Sequence, residues 1–285
     1  MSAPTSFGKS LIIDAVISTR LFKNIVENEL IYDGKIYYID FDDLEKKLSN
    51  PLTTMMILCN PQNPSGRIWT KEELSKIGEL CNKYNVVVLS DEIHCDLTDP
   101  DCNYIPFASV SDVCKNVSVT CVSTSKTFNV AGLHSATVII PNEKLKNNVA
   151  RGLNIDRYSS VNSFAIDATI TAYTKGEKWL DELRVYLCEN KKIVYEFIEK
   201  EIPDLKVLKS EATYLMWLDC SEITKNSSEL CNFIREKTGL YISKGVNYKG
   251  NGINFMRMNI ACPKETLMDG LSRLKNGILE YKKQK

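Results

Sequence analysis

Lys126 stands in Ser123-Thr124-Ser125-Lys126-Thr127-Phe128, a primary amine among hydroxyls directly after the apolar run 117–122. An amine so placed can condense with an aldehyde while the hydroxyls hold a phosphate. Ser90-Asp91-Glu92-Ile93-His94 follows a second apolar run, and an acid at a strand end can keep a cofactor's ring nitrogen protonated by opposite charge. Asn60-Pro61-Gln62-Asn63-Pro64-Ser65-Gly66 follows a third. Each proline fixes its own φ and restrains the residue before it, which would hold Asn63 stiffly at the carboxyl end of a strand, where open α/β sheets bind ligands. Late in the chain Arg257 interrupts the apolar stretch 255–260, and its planar fork matches a carboxylate bidentately, as a lysine cannot. Alone, each has a plainer reading: a turn, a solvated acidic loop, a chance string, a structurally paired arginine.

The elements that must position these groups read as alternating strands and helices. Residues 36–39, 55–58, 86–89, 117–122 and 136–140 have the short apolar runs of strands, the third β-branched throughout its first three positions as in a sheet buried on both faces. Between them, 42–48 follows an acidic cluster and reads as a short helix. Thr70 with Glu73 three residues on forms a capping box for a helix to Lys83, with Leu74, Ile77 and Leu80 or Cys81 on its apolar stripe. Residues 142–151 read as another helix. This alternation argues for α/β architecture with right-handed crossovers. After residue 161 the pattern changes to helices at 163–173 and 177–199, then short strands (214–218, 241–243, 255–260) and helices (227–237, 264–282). The expected organisation is a mainly parallel large domain over 1–160, interdomain helices over 161–200, and a smaller α+β domain over 201–285. Residues 1–35 carry no clear assignment.

Composition narrows the function. Lys plus Arg and Asp plus Glu both total 36 in 285 residues, so no global field favours nucleic acid or an anionic membrane. No apolar run approaches the ~20 residues of a membrane helix. The N-terminal apolar stretch is broken by Asp14 and does not read as a secretory signal. The ten cysteines sit singly, with no C-x-x-C pair, which reads as free thiols in a reducing cytoplasm. With only two histidines no zinc ligand set is visible, and no metal is expected.

Together, in this order, the four segments resemble fold-type I pyridoxal-phosphate enzymes of the class I/II aminotransferase group, over most of the chain from about Lys35 onward. Finer strings resemble the cystathionine β-lyase subgroup of the MalY/PatB type: Asn-Pro-x-Asn-Pro-x-Gly-Arg-x-Trp (Asn60 to Trp69), Ser-Asp-Glu-Ile-His-x-Asp (Ser90 to Asp96), Ser-Lys-Thr-Phe-Asn-x-Ala-Gly-Leu (Ser125 to Leu133) and Arg-x-Asn-x-Ala-Cys-Pro (Arg257 to Pro263). Aminotransferases of the group carry Tyr where His94 stands and Arg where His134 stands, and both departures favour the lyase branch. Ala212 stands where the family commonly has glycine. Residues 1–30 do not match the part of the family that holds a phosphate-binding turn and a ring-stacking aromatic, so the resemblance implies an N-terminally shortened member.

The resemblance implies the aspartate-aminotransferase fold and pyridoxal 5'-phosphate as cofactor. Lys126 would form the Schiff base and then take the substrate's Cα proton. Asp91 would face the pyridine nitrogen, Asn63 the ring O3′, Ser123 and Ser125 the phosphate, His94 the ring, and Arg257 the substrate α-carboxylate. The implied reaction is α,β-elimination from cystathionine or cysteine S-conjugates to a thiol, pyruvate and ammonia. Transamination on the same scaffold, or a non-catalytic remnant working through protein contacts, are the alternatives. The implied assembly is a cytoplasmic homodimer acting on a small amino acid, with neither nucleic acid nor membrane as partner.

Overall fold

The computed structural model describes residues 25–155 and 160–284. The readings made of residues 1–24 lie outside the described residues. The chain enters through a two-residue hairpin, β1 (Ile31–Tyr32) antiparallel to β2 (Tyr37–Tyr38). The acidic cluster then does more than precede a helix. Asp40 caps α1 (Phe41–Leu48) by accepting from the Asp43 amide, so the helix starts at Phe41.

Next come β3 (Met55–Cys59), α2 (Lys71–Lys83), β4 (Val87–Asp91), α3 (Asp112–Val117) and β5 (Ser118–Val122). The capping box of α2 is complete: Glu73 N donates to Thr70 Oγ1 at 3.2 Å and Thr70 N to Glu73 Oε2 at 2.9 Å. That bond pair satisfies two amides that a helix start otherwise leaves open. Leu74, Ile77, Leu80 and Cys81 are all buried. Residue 117, expected to open a strand, instead ends α3.

After a four-residue helix, α4 (Thr124–Thr127), follow β6 (Thr137–Ile139), α5 (Glu143–Ile155), α6 (Ser163–Lys175) and the long α7 (Glu177–Glu201). The first large sheet has the order β3-β4-β5-β6. Its β3–β4 and β4–β5 pairs are parallel and β5–β6 is antiparallel, so the sheet is mainly parallel. One face packs Leu58 and Val88, with Phe107 of the turn 107–109, against Leu74, Ile77 and Cys114. The other packs Leu89, Val119 and Cys121 toward Leu145 and Val149 of α5.

The remaining elements are β7 (Lys206–Val207), β8 (Leu215–Asp219), α8 (Ser227–Thr238), β9 (Ser243–Lys244), β10 (Phe255–Asn259) and α9 (Lys264–Lys283). Their sheet, β7-β8-β10-β9, is antiparallel throughout. Met216, Leu218 and Met256 pack there with Leu230, Ile234, Leu271, Leu274 and Ile278, and Val194 and Ile198 of α7 join them. Each such leucine stabilises the fold by roughly 1.5–3 kcal/mol when fully buried. The strand expected at 241–243 is realised as Ser243–Lys244, where Ser243 pairs with Arg257 and Lys244 with Met256.

Segment 97–99 ties the two sheets together. Thr98 bridges Ala212, Asp99 N donates to Glu211 O at 2.8 Å and Thr213 N to Leu97 O at 2.6 Å. From α7, Arg184 Nε donates to Thr98 O at 2.8 Å. All ten cysteines are free thiols. Among the described residues, no helix is long and apolar enough to cross a membrane.

Candidate active site

Three of the singled-out segments leave the same edge of one sheet. Cys59 of β3 is level with Asp91 of β4, and Asp91 is level with Cys121 of β5. Parallel pairing therefore delivers Asp91 and the segments carrying Asn63 and Lys126 side by side at the carboxyl ends of adjacent strands, the usual ligand edge of an open α/β sheet. Beyond the last register pair, Asn60 N donates to Asp91 O at 3.0 Å and Glu92 N to Cys121 O at 2.9 Å.

The loop after β3 is closed internally and docked externally. Gly66 N donates to Gln62 O at 2.7 Å, and Glu211 N and Ala212 N each donate to Gly66 O at 3.0 Å. Gly66 has φ +73°, and a Cβ there would lie 2.1 Å from Ser210 Oγ and 2.6 Å from Ala212 O. Only glycine fits such an approach. The docking aims Asn63 at the second sheet, where its Oδ1 accepts from Arg257 Nη1 at 3.2 Å.

Arg257 lies in β10 opposite Trp217 and Ser243. Its guanidinium carbon sits 4.7 Å from the Tyr248 ring centre, a cation–π contact. Burial lowers the guanidinium's pKa, and Tyr248, Tyr214 and Tyr241 oppose that shift. The Tyr214 ring also packs edge-on to His94, with centroids 5.9 Å apart. Burial raises the Tyr214 pKa while Arg257 lowers it. Tyr214 thus packs on His94 and lies within electrostatic reach of Arg257, a placement that sequence reading missed: it was read only as the first residue of a strand.

Asp91 is 5% exposed, and its Oδ1 accepts from Ile93 N at 3.4 Å. The adjacent Glu92 is anchored separately. Its carboxylate accepts from Ser90 Oγ at 2.7 Å, Phe107 N at 3.0 Å and the Tyr104 hydroxyl. Burial raises the Glu92 pKa against the lowering effect of those three donors.

Ser123 caps α4. Its Oγ accepts from Ser125 N at 3.1 Å and donates to Ser135 O at 2.7 Å, so this hydroxyl is committed to the local backbone. Ser125 differs, since its Oγ is buried without a hydrogen-bond partner. A buried hydroxyl left so costs free energy unless a ligand or water completes it. Lys126 is half-buried beside it. A cavity of about 220 Å³ next to α4 is lined by Ser123, Thr124, Ser135, Thr137 and Thr169. His134 adopts the left-handed conformation that ends the turn 131–133.

Orphaned hydroxyl, amine, acid, amide and guanidinium together fit pyridoxal phosphate with an amino-acid substrate. The amine suits the aldehyde, the acid the ring nitrogen, the hydroxyl the phosphate and the guanidinium the carboxylate. A larger cavity, about 840 Å³, runs instead along the open edge of β3, and of loop 60–66 only Gln62 and Pro64 line it. The chemistry-bearing groups outweigh size in locating the site.

The family model described as aminotransferase class I and II matches residues 29–274. Cystathionine beta-lyase PatB of Bacillus subtilis (strain 168) is 43% identical, over 89% of this chain and 65% of that protein. Protein MalY of Escherichia coli (strain K12) is 34% identical, over 85% of this chain and 62% of that protein. The chain thus spans less than two thirds of the length of these relatives. Among solved structures, cystalysin from Treponema denticola, which contains pyridoxal 5'-phosphate, superposes with a TM-score of 0.86 at 30% identity, over 90% of this chain and 65% of that one. The pyridoxal-phosphate-bound C-S lyase of Staphylococcus hominis, in complex with L-cycloserine, gives 0.82 at 36% identity, over 89% and 62%.

Proposed function

The chain belongs to the aminotransferase class I and II family, and on that footing we propose that it is a pyridoxal-phosphate-dependent carbon–sulfur β-lyase. Its substrates would be amino acids with a sulfur leaving group on Cβ, such as cystathionine. The observation that carries the reading is the shared strand edge: β3, β4 and β5 end in register, and their loops bear the amide, the acid and the amine that such chemistry needs. The names of PatB and of the C-S lyase support the elimination outcome.

When bound, pyridoxal phosphate supplies an aldehyde for amines and a ring that withdraws electrons from the substrate's Cα. Lys126 Nζ would hold the cofactor and would take the Cα proton. Asp91 would keep a proton on the ring nitrogen by opposite charge. Because Asn63 Oδ1 accepts from Arg257, its Nδ2 donor is left for the ring oxygen. Ser125 Oγ, orphaned otherwise, would donate to the phosphate, with Ser123 holding the turn and flanking the same group. Arg257 grips the substrate carboxylate and fixes its orientation. His94 and Tyr214 wall the side between acid and guanidinium. The electron pair left at Cα when its proton is taken would form a Cα–Cβ double bond as the Cβ–S bond breaks with its pair on sulfur. The sulfur would take up a proton to leave as a thiol, and water would then release pyruvate and ammonia.

The proposal includes the division into domains 1–160, 161–200 and 201–285, which the separate cores around the two sheets support. It includes a homodimer, supported by apolar side chains such as Phe164, Ile166 and Ile170 exposed along α6, and a cytoplasmic location, which ten free thiols suit.

The test is a titration with pyridoxal phosphate, borohydride reduction and peptide mass mapping, beside Lys126→Ala. The parent should carry the adduct on Lys126, and the variant none. An adduct-free parent would mark a non-catalytic member. With cystathionine, pyruvate should appear without any 2-oxo acid; strict need for an acceptor would make the protein an aminotransferase.

A further inference from the structure

Lys126 rides on a helix of only four residues, Thr124–Thr127. A single turn fixes several dihedrals for very few hydrogen bonds and does not persist alone. Its placement must come from neighbours. At its amino end Ser123 supplies the cap and is itself tied to Ser135 O.

The other end has two holds. Thr127, fully buried, donates from Oγ1 to Asp96 Oδ2 at 3.0 Å. Phe128 stacks on Trp179, with ring centres 5.4 Å apart, and meets Tyr173 edge-on. A Cβ on Gly176 would lie 2.4 Å from the Phe128 ring, so the helix junction leaves room for it.

Of these holds, only the Asp96 contact joins two chemistry-bearing loops. Asp96 belongs to the loop that follows Asp91 at the end of β4 and carries His94, and Thr127 adjoins Lys126. Its other oxygen accepts from Cys95 Sγ at 3.6 Å. We propose that Asp96, acting through Thr127, is a positioning residue that sets where Lys126 stands relative to the Asp91 loop. This rests on the reading of Lys126 as the cofactor lysine. A hydrogen bond to an ionised acceptor is stronger than one between neutral groups, and small misplacements of a reacting group cost rate steeply.

The test uses the full chain, pyridoxal phosphate as probe, and the variants Thr127→Val, Thr127→Ser and Asp96→Ala. At saturating cofactor, the rate of borohydride-trappable adduct on Lys126 should fall about tenfold in Thr127→Val and Asp96→Ala. Thr127→Ser should restore it. Non-covalent affinity, compared in Lys126→Ala and Lys126→Ala/Thr127→Val, should not change. Without cofactor, amide exchange over 124–128 should quicken in the Val and Ala variants and stay parent-like in the Ser variant. That last readout needs no adduct, so a parent that never reacts would defeat the lyase reading while still judging the strut. Parent-like exchange and rates in Thr127→Val, an equal loss in Thr127→Ser, or weakened non-covalent affinity would each overturn the proposal.

Discussion

Arg257 Nη1 donates to Asn63 Oδ1 at 3.2 Å, joining residues 194 positions apart in the chain, one on β10 of the second sheet and the other in the loop that leaves β3 of the first. One side of the guanidinium fork therefore holds the amide assigned to the cofactor ring, leaving its remaining donors for a carboxylate. Lysine keeps the charge and loses the fork. Arg257→Lys should raise KM for an amino-acid substrate about tenfold or more, with the Lys126 adduct still forming. Steady-state kinetics at saturating cofactor check this, and an unchanged KM would remove Arg257 from the substrate site.

Asp91 is a different kind of residue, because its charge rather than its shape is required. Asp91→Asn preserves volume and removes the charge that would hold a proton on the ring nitrogen. Turnover should fall about a hundredfold or more, while borohydride still fixes cofactor to Lys126. Adduct yield and pyruvate release, measured on one preparation, separate these effects. Near-parent turnover would show that Asp91 does not face the ring.

How much of this was legible in the sequence depends on whether the signal was local. The α2 capping box was readable because Thr70 and Glu73 are three residues apart, and both bonds form. Strand β4 was readable because a β-branched run suits a doubly covered sheet. Strand direction is not in periodicity, so antiparallel β6 carried no mark. The apolar run 36–39 was readable and β2 falls within it, whereas its partner β1, at two residues, is too short for any period to show. The four-residue α4 was invisible for the same reason, although its lysine was the plainest chemical signal. Tyr214 was missed because its partners, His94 and Arg257, come from distant segments. The commitment of Ser123 to Ser135 O and the orphaned Ser125 Oγ are likewise facts of packing.

Glu92 should give the molecule a pH-dependent stability of unusual sign for a carboxylate. Burial, the largest influence, raises its pKa above the ordinary glutamate value, with the nearby Asp91 charge adding to it. The folded chain then keeps a proton that the unfolded chain has released. Between the ordinary value and the raised one, stability falls as pH rises; it is greatest below that window. Glu92→Gln removes the titration and should flatten this part of the curve. Denaturant unfolding of both proteins across that window measures the difference. A wild-type-minus-variant stability that rises with pH would contradict the sign.

The last relationship holds the two sheets, and through them the site. Lys191 of α7 is 2% exposed, and its ammonium lies 2.7 Å from Asp99 Oδ1, whose side chain is 20% exposed. It also donates to Ala212 O at 3.4 Å and Ser210 O at 3.5 Å. Burial lowers the Lys191 pKa and Asp99 opposes it. The neighbouring amides of Glu211 and Ala212 hold Gly66 O, and Gly66 closes the loop that presents Asn63. Removing one partner is asymmetric here. Asp99→Ala strands a deeply buried ammonium and should cost about 3–5 kcal/mol. Lys191→Met leaves a carboxylate that water already reaches, so it should cost less. In the double variant neither charge remains, and the loss should be smaller than the sum of the single losses. Denaturant unfolding of all four proteins gives the coupling directly. Strict additivity would mean that the pair has no coupling of its own, and the position of Asn63 would then be credited to the backbone bonds within loop 60–66 and those it accepts from Glu211 and Ala212.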